Sequence, residues 1–145
     1  MNTEIIFNIF NTAVLPVWLL MLVAPQWVWT KRLVYSHLVP VAIGLAYAFL
    51  IFSNIGQMGN ADFSSFAGIK ALFALGNDQL IAAGWFHYLA FDLVVGGWIL
   101  KDSQERGILH YWVVPCLIFT FMLGPVGLVL YHLLRLAVAS RSQKQ

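Results

Sequence analysis

Four apolar runs, residues 5–24, 33–52, 81–100 and 112–136, each reach the ~20 residues that a helix needs to cross a bilayer. Where there is no water, only helices and closed barrels satisfy every backbone group. The runs are continuously apolar and lack the period-two alternation of barrel strands, which selects helices. Composition agrees: 61% of the 145 residues are hydrophobic and 10% charged. Mean hydropathy is +0.80, far from the roughly half-apolar make-up of a soluble domain. The expected fold is all-α, an integral membrane bundle of four transmembrane helices with a short amphipathic helix in the longest connection, forming one domain over residues 1–145.

Residues 25–32 carry Trp27, Trp29, Lys31 and Arg32, the aromatic and cationic pairing that anchors a chain at the headgroups, and are expected as a short interfacial turn. The longest connection, residues 53–80, opens on the helix breaker Ser53-Asn54-Ile55-Gly56-Gln57-Met58-Gly59-Asn60. It then spaces Phe66, Ile69, Leu72 and Phe73 as one face of a helix over residues 63–75, suited to lying in the interface. Asn77-Asp78 caps the third helix. Four crossings return both termini to one face, and the cations then divide equally: Lys70, Arg135, Arg141 and Lys144 against Lys31, Arg32, Lys101 and Arg106. The charges after the first helix favour termini outside, while the basic tail argues the reverse.

The first run has neither the preceding basic residue nor the small-residue cleavage site of a removable signal peptide, and no Ser- and Arg-rich leader is present. A bacterial inner membrane or a cyanobacterial thylakoid is the expected location. Cys116, the single cysteine, has no disulfide partner. The cations sit at helix ends instead of forming a basic patch, which excludes a nucleic-acid partner.

Within the third run, Trp85-Phe86-His87-Tyr88-Leu89-Ala90-Phe91-Asp92 buries two ionisable groups at membrane depth. Such groups are costly there and by default mark function. Counted from Ile81 at 1.5 Å per residue, His87 lies ~9 Å in and Asp92 ~16 Å in, near the midplane, and the two are ~140° apart around the helix. They are expected to face different neighbours or opposite walls of one cavity, with Trp85, Leu89, Asp92 and Gly96 forming one stripe. Under four crossings Asn8, Asn11, Thr12 and His132 share the layer of His87, while Gly124-Pro125 breaks the fourth helix near the depth of Asp92. The proline there leaves the carbonyl of Phe121 without its helical donor.

Each feature also has a structural role open to it. Asn8, Asn11 and Thr12 are the kind of residues that bond helix to helix, His132 can snorkel at a helix end with Arg135, and His87 can serve as a packing hydrogen bonder. Asp92 has no route to the headgroups and is the strongest functional candidate. No His-x-x-x-His spacing supports a metal, and no phosphate loop, nucleophile elbow or paired-cysteine site occurs. One acid and one base in a chain with 15% Phe, Trp and Tyr suit a long, apolar, conjugated ligand, with Asn11, Trp85, Trp98 and His132 as further candidate binding residues and no cofactor.

The chain resembles the neoxanthin-synthase-like, or ABA-deficient-four-like, membrane proteins. The residues that carry the resemblance are Asn11, Leu15-Pro16-Val17-Trp18-Leu19-Leu20-Met21, Pro25 and Trp27 in the first helix. In the third they are Trp85 through Leu93 with Gly96 and Trp98, and in the fourth Cys116-Leu117 with Gly124-Pro125-Val126-Gly127-Leu128. The resemblance implies a four-helix membrane protein of carotenoid metabolism. It also implies an isomerase of the violaxanthin-to-neoxanthin type, opening an epoxide to an allene without a redox cofactor. That reaction needs a proton delivered to oxygen and another removed from a neighbouring polyene carbon, which positioned side chains can do. The assignment of Asp92 and His87 to those steps rests on their depth and is not carried over from the family. The alternatives are a carotenoid- or lipid-binding scaffold of a larger membrane complex or homo-oligomer, and a transporter subunit, for which the chain shows no internal repeat.

Overall fold

The computed structural model describes residues 2–58 and 62–142, and every described element is helical. The helices are α1 (Thr3–Val23), α2 (Val28–Tyr35), α3 (Leu38–Ser53), α4 (Phe66–Ala74), α5 (Asp78–Glu105), α6 (His110–Leu123) and α7 (Pro125–Ser142). Three stretches are long and apolar enough to cross a membrane: Thr3–Val23, Val28–Ser53 and Asp78–Glu105. Their outward sides carry exposed Leu19, Leu45, Phe52 and Phe91, as a lipid environment requires.

At its centre α5 packs against α1, α2, α3, α6 and α7. Its start is fixed by Asn77, whose side chain accepts from the amides of Gln79 and Leu80. The same Asn77 donates to Asn54 and Gln57, and Asn54 donates to Gln79 at 2.6 Å, so a side-chain network joins the end of α3 to the start of α5. Residues 59 and 60 of the expected breaker lie outside the described residues. Ahead of α4 the Asp62 carboxylate accepts from the Ser64 hydroxyl and amide and the Ser65 hydroxyl, bonds that favour its charged form and bring its pKa to about 2.

Contacts along α5 fix the direction of its neighbours. Beside α1, Trp85 donates to Asn11, Phe86 meets Phe10, and Gly96 lies under Trp18, so the two helices run parallel. Gly96 is small by necessity, because a Cβ there would sit 2.6 Å from the Trp18 ring. The second apolar stretch runs antiparallel: Val34 over Gly97, Tyr47 beside His87, Asn54 on Gln79. It begins earlier than the expected residue 33. The supposed interfacial turn at residues 25–32 is mostly helix, with Arg32 stacked 5.2 Å over Trp29 one turn away. A helix extended into the headgroups keeps its own backbone bonded, which an irregular turn does not. His37, at φ 56°, marks the break between α2 and α3.

The largest departure from expectation concerns residues 112–136, where one bent helix becomes two that fold back on each other. Gly124 adopts φ 46°, a conformation that suits glycine, and Pro125, lacking an N–H, opens α7 at the position where a missing donor costs nothing. Gly124 packs against Asp92 midway along α5, so α6 has climbed from the Glu105 end to the middle of the bundle. From there α7 returns: Tyr131 and His132 stand beside Trp98, and Arg135 reaches Asp102. The hairpin has no loop, and Gly127 touches the backbone of Thr120 and Cys116 across it.

Asp102 latches the returning helix. It accepts from Tyr131 at 2.6 Å and from Arg106 at 2.8 Å, with Arg135 at 3.4 Å and its guanidinium 5.6 Å over Trp98. Hydrogen bonds to a charged acceptor each contribute about 1.5–3 kcal/mol. Asp102→Ala should therefore destabilise the protein by at least one such increment in a detergent thermal melt. Lys101→Ala, which removes only the exposed 3.9 Å pair with Glu105, should shift the melt by under ~1 kcal/mol.

Candidate functional site

Asp92 is 7% exposed, midway along the 28 residues of α5, on a face closed by the tip of the α6–α7 hairpin. Its Oδ1 would lie 2.8 Å from a Cβ on Gly124, and its Oδ2 is buried without a hydrogen-bond partner. A buried polar atom left unbonded costs about 1–3 kcal/mol. The residue at this carboxyl is Gly124, the turn between α6 and α7. A carboxyl so placed is equipped to exchange a proton with something that enters beside it.

A cavity of about 190 Å³ lies between α1, α5 and the end of α6, one helical turn before Asp92. Its walls include Asn11, Trp85, Tyr88 and Phe121, and Tyr88 lies one helical turn before Asp92. Trp85 stacks on Tyr88 at 5.4 Å and is held from α1 by Asn11. Two of the residues expected to bind substrate, Asn11 and Trp85, thus come together in this cavity. Gly124, placed by the sequence near the depth of Asp92, does stand against it, whereas Tyr88, which also lies beside Gly124, was not singled out. The spacing of four between Tyr88 and Asp92 was the signal that would have marked the tyrosine.

His87 goes elsewhere. It points away from Asp92, lies 5.6 Å from Tyr47 and 4.7 Å from Phe91, and lines a separate cavity of about 360 Å³ between α3, α4 and α5. Phe63, Ile69, Leu72 and Phe73 close this cavity from the α4 side, so the expected amphipathic helix covers it. The ~140° between His87 and Asp92 separates them onto opposite flanks of α5 and does not converge them on one ring.

His132 and Trp98 stack on each other at 5.5 Å, beyond Asp92 toward the Glu105 end. Of the expected polar layer, Asn11 stays near the depth of His87 through its bond with Trp85, but His132 leaves it. That layer assumed that the fourth helix continued past Gly124, whereas the reversal carries His132 to the other half of the bundle. Among the described residues no group of three His, Cys, Asp or Glu side chains is placed to hold a metal ion.

A family model described as ABA DEFICIENT 4-like matches residues 5–131, nearly the whole chain. The chain is 28% identical over 147 aligned positions to Protein ABA DEFICIENT 4, chloroplastic, of Arabidopsis thaliana, an alignment covering 96% of this chain and 64% of that protein. It thus spans a little under two thirds of the relative's length. No solved structure matches it significantly.

Proposed function

Because the chain belongs to the ABA DEFICIENT 4-like family, and because its one midplane carboxyl is buried with an oxygen unpartnered, we propose that it is a carotenoid isomerase of membranes. In this reading it converts an epoxycarotenoid end group to an allene, the violaxanthin-to-neoxanthin type of reaction, in a thylakoid or bacterial inner membrane. The observation that carries the reading is Asp92 buried beneath the hairpin tip with Oδ2 unpartnered, and an aromatic-walled cavity one helical turn away supports it.

The reaction is an isomerisation, so every proton delivered must be recovered. Asp92 in its acid form gives a proton to the epoxide oxygen as the carbon–oxygen bond breaks. The adjacent polyene carbon loses its proton, and the electrons of that bond form the new double bond of the allene. The carboxylate just formed takes that proton, which regenerates the acid, so one carboxyl with two oxygens completes the cycle. Positioned acid–base groups supply such steps without a redox cofactor. Trp85 and Tyr88 offer π faces to the end group, and Asn11 orients Trp85. His87 stands outside this scheme because it opens into the other cavity.

A second reading has its own support. The larger cavity, about 360 Å³ and walled mostly by apolar side chains, falls within the range of about 300–1,000 Å³ that suits a bound molecule and lies away from Asp92. A carotenoid- or lipid-binding scaffold would need that cavity and no acid. Pigment analysis of a host with the gene deleted and then restored separates the two. A changed carotenoid isomer profile supports catalysis, whereas unchanged isomers with reduced abundance of a membrane complex support the scaffold. In the same host His87→Gln should leave conversion within about threefold of wild type, since acid–base losses of ~10²-fold or more belong to groups that touch the reacting atoms. A loss of that size would return His87 to the chemistry.

A further inference from the structure

We infer that this chain crosses the bilayer three times and not four, that α6 and α7 dip in and return on one face, and that this face is the side where basic segments are retained. The lengths come first. At 1.5 Å per residue the 14 residues of α6 reach ~21 Å, short of a hydrocarbon core of ~30 Å. The α6 tip lies against Asp92 in mid-bundle, and α7 rejoins α5 at Asp102 beside the starting point of α6. Backbone that turns inside a membrane is tolerated only where protein covers it. Here α5 covers the turn residue Gly124, which is buried against Asp92 and Tyr88, while the apolar Met122, Leu123 and Val126 beside it face outward as lipid allows.

Reversal of α7 also breaks the charge tie of a four-crossing arrangement. Among the described residues, Lys31, Arg32, Lys101, Arg106, Arg135 and Arg141 now fall at the Glu105 end, and Lys70 stands alone at the other. The acidic residues lean the opposite way, with Glu4, Asp62 and Asp78 at the Lys70 end against Asp102 and Glu105. A bias of six to one places the Glu105 end in the cytoplasm, or on the equivalent face of a plastid membrane. The cavity at Asn11 and Trp85 lies in the other half of the bundle. Under the isomerase reading, which this last step rests on, substrate enters from the far leaflet.

Three positions decide the topology: Ser64 before α4, Glu105 at the end of α5 and Ser140 near the end of α7, all exposed. In a full-length Cys116→Ser background in a bacterial inner membrane, Ser64→Cys, Glu105→Cys and Ser140→Cys are probed with a membrane-impermeant maleimide. Spheroplasts are labelled intact and after permeabilisation. Ser64→Cys should label on intact spheroplasts, and Glu105→Cys and Ser140→Cys only after permeabilisation. Joint labelling of Ser140→Cys with Ser64→Cys overturns the three-crossing topology, and labelling of Glu105→Cys on intact spheroplasts overturns the orientation. Neither result depends on catalysis, so an inactive protein leaves the test intact.

Discussion

Gly127→Leu should abolish the folded protein, or leave it with its hairpin open. A Cβ at this position would overlap the Thr120 hydroxyl and amide and the Cys116 carbonyl, so a side chain there pushes against backbone that cannot rotate away. Overpacking a core costs about 1–3 kcal/mol when side chains can yield, and here the yielding element is a whole helix. Small residues at such crossings are what let membrane helices approach closely. Two measurements follow. The monodisperse fraction in detergent should fall severalfold, and Cys116, buried in the native protein, should become reactive to maleimide under native conditions. Gly44→Leu, at a position where a Cβ meets nothing within 4 Å, should match wild type in both. Wild-type yield and a protected Cys116 in Gly127→Leu would mean that α6 and α7 are not locked together.

The turn that opens this hairpin, Gly124-Pro125, shows what the sequence could and could not reveal. Apolar run length set the helices well: α1 and α5 contain nearly all of the expected spans, because burial of ~20 apolar residues leaves the chain no alternative in lipid. The depth of Asp92 followed from counting along one helix, and its neighbour Gly124 from counting along another. What run length does not encode is direction. Gly124-Pro125 in an apolar run is compatible with a kink or with a reversal, and the difference is a few backbone dihedrals at one residue. The reversal then decides where Tyr131, His132 and Arg135 go. The partition of His87 and Asp92 onto two flanks of α5 was half legible: the angle between them came from helix periodicity, but which neighbour occupies each flank is a property of the packed bundle. The role of Asp102 as a latch was hidden for the same reason, since its partners Tyr131 and Arg135 lie about 30 residues away along the chain.

Asp92→Asn should lower carotenoid conversion by about 10²- to 10⁴-fold, the contribution of a positioned acid–base group, while leaving the protein folded and inserted. Asparagine keeps the size of the side chain beneath Gly124 and retains hydrogen-bonding capacity, so the hairpin tip has no steric reason to move. It leaves a polar atom at the unpartnered Oδ2 position, as the neutral acid does, so detergent stability should stay within about 1 kcal/mol of wild type. Asp92→Glu tests position: the extra methylene drives the carboxyl into Gly124, already at contact distance, so proton exchange survives while alignment suffers. Its activity should fall between wild type and Asn. Pigment extraction from a host expressing each variant at matched levels gives the readout, with reactant and isomer quantified together. The order wild type, then Glu, then Asn is the signature of an acid that must both carry a proton and stand in place. Equal conversion by Asp92→Asn and wild type would reduce Asp92 to a packing residue and remove the isomerase chemistry from this site. Retention of bound pigment by both, with no isomer formed by either, would leave the larger cavity as the functional centre and the protein as a binder.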